Sequence, residues 1–424
     1  MDKFDAVIIG AGLAGLGAAY VLTGRGLDLV VLERGDYPGA KNVTGGRIYI
    51  NPIRQLFPDL FESAPLERCI THEGITLLAK DRSVALGYSG RELKGPSPQS
   101  YSILRAKFDR WLAEQVEKKG GIILSKTKVE EIIKENGKIA GVIAGGDELR
   151  SNVVIACDGA LSIMAEKAGL HPPYDSRNFA IGLKEVISLE AATINDRFNL
   201  DGSEGAARLY VGDVSQGKFG AGFIYTNKES ISIGIVVILE EESPIQIAEL
   251  LDAFKERPEI APLIKGGNPE EYSAHVIPEG GFKAVGNLYG DGILVAGDAA
   301  GLALNMGFTV RGMEYALASG YFAAQAVLKA KAMGEFNAPT LRVYKDLLED
   351  SFVLKDFRNF QEAPTVLGRT RFLRHYPEWL GNILKEIYQV PEGPKGKLFS
   401  TVRKHFNAAE LWATLKDLKE LRKI

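Results

Sequence analysis

Cysteine is scarce in this sequence of 424 residues. The only two, Cys69 and Cys157, cannot build a disulfide framework or supply the four thiolates of an iron–sulfur cluster, so a reducing compartment is expected. The five histidines, at positions 72, 171, 275, 375 and 405, stand apart without metal-ligand spacing, and no metal site is expected. Long apolar runs are missing too: the longest, such as residues 231–239, are strand-length, far short of the ~18 residues that a membrane-spanning helix needs. A formal net charge of -3 leaves no basic excess of the kind that nucleic acid selects. The chain opens MDKFDAVIIG, with an apolar strand almost at the first residue, so no leader is expected. Neither a P-loop nor a serine nucleophile elbow occurs.

What is present begins at once. Residues 5–34, DAVIIGAGLAGLGAAYVLTGRGLDLVVLER, form the pattern of one βαβ unit: a strand at 6–9, a glycine turn, an alanine-rich helix over about 13–25, and a strand at 29–32 ending in Glu33. Gly10, Gly12 and Gly15 make G-x-G-x-x-G: the first permits the turn, the second admits a pyrophosphate against bare backbone, and the third lets helix and strand pack closely. The helix N-terminus would face the phosphates with its unpaired N–H groups. Glu33, 18 positions after Gly15, can accept both hydroxyls of an unphosphorylated adenosine ribose. A bare G-x-G-x-x-G is a weak signal, but strand, helix, second strand and acid at this spacing predict a dinucleotide site. FAD and NAD share the fingerprint, so the redox end stays open on these residues alone.

Residues 34–49 are too rich in glycine and small polar residues for an element interior; Gly45 and Gly46 would let the main chain run flat against a planar ligand, with Lys41, Asn42, Thr44 and Arg47 as donors. Residues 74–87 predict a hairpin turning at 80–82, and 95–100 a linker. Residues 101–119 start extended and become an amphipathic helix with Phe108, Leu112 and Val116 on one face and Arg105 at the changeover. Short strands at 121–124, 128–134 and 139–143 suggest a meander, and the apolar strand 152–157 runs into Asp158 and Gly159. From about 170 to 275, strands of mixed polarity with one helix near 245–254 predict a separate antiparallel layer, the natural wall for a substrate. An apolar strand at 292–297 then ends in Asp298, placed to bond a polyol hydroxyl, and a helix is expected to begin near Thr309 with its N-terminus toward a ring system.

The last hundred residues are read from composition. Residues 369–388 mix arginines with Phe372, Leu373, Tyr376, Trp379 and Leu380, which suits a membrane interface or a partner surface. From Lys395 onward there are eight basic and three acidic residues, with Leu411, Leu415, Leu418 and Leu421 at helical spacing. The other reading is a C-terminal helix packed on its own domain with a solvated basic face.

Together the N-terminal βαβ unit, Arg105, the central CDG at 157–159 and the late GDAAG at 297–301 resemble the FAD-binding core shared by geranylgeranyl reductases and aromatic-ring hydroxylases. Two longer stretches, GAKNVTGGRIY at 39–49 and GDAAGLALNMGFTVRGMEYALASG at 297–320, are closer to FixC-type proteins, the FAD subunits of FixABCX electron-bifurcating complexes, themselves similar to electron-transfer flavoprotein:quinone oxidoreductases. The resemblance implies an α/β fold: a Rossmann-like FAD-binding domain of glutathione-reductase type (1–60, 101–170 and 276–330), an inserted antiparallel β substrate domain (61–100 and 171–275) and a C-terminal helical tail (331–424). It also implies FAD as cofactor, with Gly10, Gly12, Leu13, Ala14 and Gly15 at the pyrophosphate and Glu33 and Arg34 at the adenosine. Asn42, Val43, Thr44, Gly45 and Gly46 would border the isoalloxazine, Arg105, Val129, Asp158 and Gly159 would contact the cofactor, Gly297 and Asp298 would hold its ribityl or pyrophosphate, and Gly307, Phe308, Thr309, Val310 and Arg311 would cover the pyrimidine edge. Implied partners are electron-transfer flavoprotein subunits, a small ferredoxin-like iron–sulfur subunit and a membrane quinone, with the chain cytoplasmic and peripheral on the inner face of the cell membrane. The rival is a geranylgeranyl-reductase-like prenyl-lipid reductase. No catalytic acid or base can be picked from the sequence.

Overall fold

The computed structural model describes residues 3–41, 46–95, 97–171, 175–239 and 246–424. β1 (Phe4–Ile9) is buried on both faces, as a central parallel strand must be, and pairs in parallel with β2 (Leu29–Leu32). Between them α1 (Leu13–Leu22) stops short of residue 25, because Gly24 and Gly26 take left-handed backbone (φ +79° and +72°) and end the helix. Next come β3 (Arg47–Tyr49), the hairpin of β4 (Cys69–Leu78) and β5 (Ser83–Ser89), and β6 (Ser100–Ser102). Then α2 (Arg105–Lys118) buries Phe108, Leu112 and Val116. Of the expected meander, β7 (Ile122–Leu124) instead joins β2 in parallel; β8 (Val129–Glu135), β9 (Lys138–Ala144) and β10 (Asp147–Ala156) form the antiparallel set, and β10 continues alongside β1. A short α3 (Ile163–Ala168) follows.

The second layer comprises β11 (Phe179–Ser188), β12 (Glu204–Gly212), β13 (Gly220–Thr226), β14 (Ser230–Ile238) and β15 (Asn268–Pro278), with α4 (Ala191–Phe198), α5 (Ile247–Glu256) and α6 (Ala261–Ile264) between strands. Its order is β15-β11-β14-β13-β12-β4-β6-β3, with β5 on β4. The expected antiparallel layer is in fact mixed, because β12 runs parallel to β4, and β3 and β6 join it from either side of residues 61–100. Alternation sorts the faces: Ile231, Ile233, Ile235 and Val237 of β14 bury against Ile194, Phe198, Leu250, Leu251 and Phe254 of the flanking helices, whereas Val236 and Ile238 point the other way, into a cavity.

The chain returns to the first sheet with β16 (Tyr289–Gly290) and β17 (Ile293–Val295), completing the order β16-β17-β10-β1-β2-β7. The helix expected from near Thr309 begins later. Asn305 Oδ1 accepts from the N–H of Gly307 (3.0 Å), Gly307 is left-handed (φ +89°), and β18 (Leu304–Asn305) pairs with β19 (Val310–Arg311), so this stretch turns as a hairpin before α7 (Met313–Met333) starts after Gly312. α7 lies directly on α1: a Cβ on Gly320 would meet Ala14 O at 2.1 Å, and one on Gly17 would meet Leu317 O at 3.1 Å.

The remaining chain is helical: α8 (Ala338–Leu341), α9 (Val343–Asp350), α10 (Phe352–Asn359), α11 (Ala363–Leu367), α12 (Tyr376–Tyr388), α13 (Leu398–Lys404) and α14 (Ala408–Leu421). One buried carboxylate clasps α14 to the body: Asp417 accepts from Arg371 Nε (2.7 Å), Tyr376 Oη (2.8 Å) and Arg369 Nη1 (3.3 Å), while Glu410 pairs with Arg371 and His375. Among the described residues no helix is long and apolar enough to cross a membrane.

Two outcomes are expected. Gly320→Ala forces α7 away from α1 and should cost about 1–3 kcal/mol by denaturant titration, the usual range for overpacking. Asp417→Ala should cost about 1.5–3 kcal/mol, the range for bonds to a charged group, and should speed limited proteolysis of the 389–397 stretch.

Candidate functional site

The carboxyl ends of three parallel strands converge. β1 runs into Gly10, β10 into Cys157, Asp158 and Gly159, and β17 into Gly297 and Asp298, and together they open on a cavity of about 730 Å³. Gly10 (φ +96°) passes so near β10 that a Cβ would stand 2.4 Å from Cys157 O. No side chain caps α1 at Gly12, so its first-turn N–H groups are presented where Gly12, Leu13 and Ala14 line the cavity. Gly15 and Gly297 do not line it: a Cβ on Gly15 would meet Gly10 O at 2.0 Å and one on Gly297 the Ala14 methyl at 2.7 Å, so these two serve close packing.

Glu33 is buried, its oxygens accepting from the N–H groups of Ala11 (2.9 Å) and Gly35 (2.6 Å), and it lines the cavity with Arg34 and Val129. A carboxylate has about four acceptor sites, so the two bonds leave room for ribose hydroxyls. Arg105 lines the cavity in a buried bidentate pair with Asp109 (2.8 and 2.7 Å). Asp158 accepts from the N–H of Met164 with one oxygen, while its Oδ1 is buried with no partner among the described residues. Burial raises the pKa values of Asp158 and Asp298, and for Asp298 the nearby Arg105 pulls the other way. Asn42, Val43, Thr44 and Gly45 lie outside the described residues.

At the other end, Gly46 lies against the Tyr225 ring so tightly that a Cβ would come within 2.5 Å of it. Arg47 is buried, bonded to Glu73 (2.8 Å) and Ser100 (2.9 Å), and its guanidinium lies 4.4 Å from the centre of the Tyr49 ring. Arg311 reaches the same tyrosine at 5.7 Å, pairs with Glu314 and Asp356 (2.6 Å), and borders the cavity with Gly307, Phe308 and Val310. Thr309 faces an adjoining hollow of about 280 Å³ instead.

Which side chains line the rest of the chamber could not be read from the sequence. Its wall is the inner face of the second sheet, with Ile75, Leu209, Val211, Val236, Ile238 and Ile277 among its side chains. Its roof is the tail: Leu367, Phe372, Leu373, Tyr376, Trp379 and Leu418 line it. The aromatic residues expected at a membrane or partner surface are therefore turned inward. Lys184, His275 and Glu279 are titratable groups on the same wall. Burial lowers the Lys184 pKa against its pairing with Glu271, and burial with Arg105 and Arg34 nearby brings His275 down to about 4. The signal for this row was strand alternation at 275, 277 and 279, readable only once the inner face is known.

Residues 3–194 match the FAD binding domain family. The chain is 42% identical over 418 residues to the probable electron transfer flavoprotein-quinone oxidoreductase YdiS of Escherichia coli K12, covering 98% of this chain and 97% of that protein. It belongs to the FixC family. Protein FixC of the same strain is 42% identical over 391 residues (92% and 91% covered), and that of Azorhizobium caulinodans 37% identical over 422 (97% and 96%). In fold the chain is similar to a geranylgeranyl bacteriochlorophyll reductase-like protein of Thermoplasma acidophilum, with a TM-score of 0.72 at 20% identity over 99% and 100% of the two chains. This FixC-family chain is an FAD-dependent oxidoreductase of electron transfer, and FAD is its cofactor. The cavity fits such a group: bare turns at Gly10 and Gly12, uncapped helix N–H groups, and the unpartnered Asp158 Oδ1 as an acceptor for a polyol or amide donor.

Glu33→Arg should fold with unchanged circular dichroism yet retain little FAD through gel filtration. Full flavin occupancy would place the ribose elsewhere.

Proposed function

We propose that this protein accepts electrons from an electron-transfer flavoprotein and delivers them to a membrane quinone, as one subunit of an electron-bifurcating complex that includes a small ferredoxin-like iron–sulfur subunit. One observation carries this reading: a single cavity joins the nucleotide-binding turns to a chamber walled by aliphatic side chains and roofed by Phe372, Tyr376 and Trp379. Such a chamber suits a flat, apolar ring with a prenyl tail. The name of the relative YdiS, probable electron transfer flavoprotein-quinone oxidoreductase, supports the same pair of reactants.

FAD supplies transfer of electrons one or two at a time. The chain's own residues do the rest. Gly10, Gly12, Leu13 and Ala14 would hold the pyrophosphate, Glu33 and Arg34 the adenosine, and Asp158, Asp298, Arg105 and Val129 the middle of the cofactor. Gly46 and the 307–311 loop would border its ring, and the sheet and roof would exclude water from it.

Peripheral attachment to a membrane belongs to the same reading. Leu398, Phe399, Leu411, Trp412 and Leu415 are at least half exposed on α13 and α14, among Lys397, Arg403, Lys404, Lys416 and Lys419. Leu418 both lines the cavity and is 53% exposed, so apolar surface continues from chamber to exterior. Basic residues beside apolar ones favour anionic lipid.

A prenyl-lipid reductase would use the same cavity, and the shared fold keeps it as the second reading. The test is one titration under anaerobic conditions. Reduced electron-transfer flavoprotein should bleach the flavin band, and a soluble quinone analogue should restore it while a geranylgeranyl lipid does not. Reoxidation by the geranylgeranyl lipid alone would select the second reading.

A further inference from the structure

Glu279 has no part in the FAD-binding set, yet its position asks for one. The inner face of β15 carries His275 and Ile277, and Glu279 follows at the next position of the same alternation, lining the cavity. Its main-chain N–H donates to Asn178 O (2.8 Å), which fixes the residue, whereas its carboxyl group has no hydrogen bond or ion pair to any described residue.

Two glycines locate it along the cavity. Gly281, two residues on, would meet Pro364 Cγ at 3.0 Å if it carried a Cβ, and Gly307 would meet Leu367 Cδ2 at 3.2 Å. Pro364 and Leu367 are one turn apart on α11, so Glu279 stands at the same end of the chamber as the 307–311 loop. Asn178 flanks it through the main chain, and the strands leading to it are apolar: Ala180 pairs with Ile277 of β15 and Ile238 of β14, and the N–H of Ile238 donates to Phe219 O.

We propose that Glu279 is the acid that hands a proton to the quinone oxygen as the quinone is reduced in this chamber. The proposal rests on the quinone reading above. A quinone gains two electrons and two protons to become a quinol. The cofactor, when bound and reduced, would supply a hydride equivalent, which is both electrons and one proton; the Glu279 carboxyl group would give the second proton to the substrate oxygen, and the resulting carboxylate would be reprotonated from water.

The surroundings favour the protonated form of the acid. Burial pushes the Glu279 carboxyl up to about 7. The charged groups on adjoining elements are engaged elsewhere: Arg177 with Asp175, Lys283 with Glu362, and Lys184 with Glu271. His275, on the same strand, is neutral at pH 7, its pKa brought down to about 4. Because the raised pKa belongs to an acid, the donor form is full below pH 7 and is lost as pH rises through that value.

The test uses FAD-loaded protein, reduced chemically and mixed with a soluble quinone analogue across pH. For the wild type, reoxidation should slow tenfold per pH unit above about 7. Glu279→Gln should lose that limb and react about 10²-fold slower, the lower bound for general acid catalysis, while flavin content and reduction by the donor stay unchanged. Glu279→Asp should restore much of the rate. Independently of turnover, infrared difference spectra of the resting protein should show a protonated-carboxyl band that titrates near neutral pH and is absent from Glu279→Gln. A Gln variant with the wild-type rate and pH limb, or a wild type without the carboxyl band, overturns the assignment and leaves the quinone reading standing. A wild type that the quinone analogue does not reoxidise overturns both.

Discussion

The carbonyl oxygen of Ala14 fills the space where any side chain on Gly320 would be, and that contact between α1 and α7 governs the geometry of the molecule. The two helices follow glycine turns that lie far apart in the chain. Only when their axes come this close do the turn after β1 and the turn after β17 open on the same cavity. Alanine and glycine on both helices are therefore a requirement of the site as much as of the core. Ala14, Ala18, Ala316 and Gly320 contribute little buried area apiece, but larger residues would separate the turns that must act together.

Around that junction the protein spends its buried charges in pairs. Arg105 with Asp109, Arg47 with Glu73, and Arg311 with Glu314 and Asp356 are each held at the cavity's edge by a carboxylate. A buried arginine without its carboxylate would be strongly destabilising, so these pairs fix the positions of cationic groups beside the site. The chamber beyond them is aliphatic and aromatic, and its acids at Asp158, Asp298 and Glu279 all have raised pKa values because burial disfavours their charged forms.

How much of this could be read from residues alone depends on how local the cause was. The strand 29–32, the acid at 33 and the helix after Arg105 follow from local pattern and agree with β2 and α2. α7 starts later than its composition suggests because a side-chain turn from Asn305 to Gly307 overrides that composition. β7 reads as part of a meander because an edge strand of a parallel sheet, with Ile122 and Leu124 exposed, has the same alternation as an antiparallel one. For Phe372, Tyr376 and Trp379 composition was ambiguous in principle: an arginine-flanked aromatic face can meet a bilayer or close its own domain, and here it closes the domain. Glu279 was illegible for a similar reason, since nothing local tells which side of β15 is inward.

The roof over the chamber also has a place in time. Every element that shapes the nucleotide end, α7 included, is complete once Met333 has been made, whereas α12 and α14 come from the stretch translated afterwards. Translation supplies that stretch over a period on the order of seconds. A nascent chain thus passes through a stage in which the pyrophosphate cradle is built and the chamber is still an open trough. For a chain that folds as it emerges, the cavity would be widest at that stage, and the residues of α12 and α14 that line it would narrow it last.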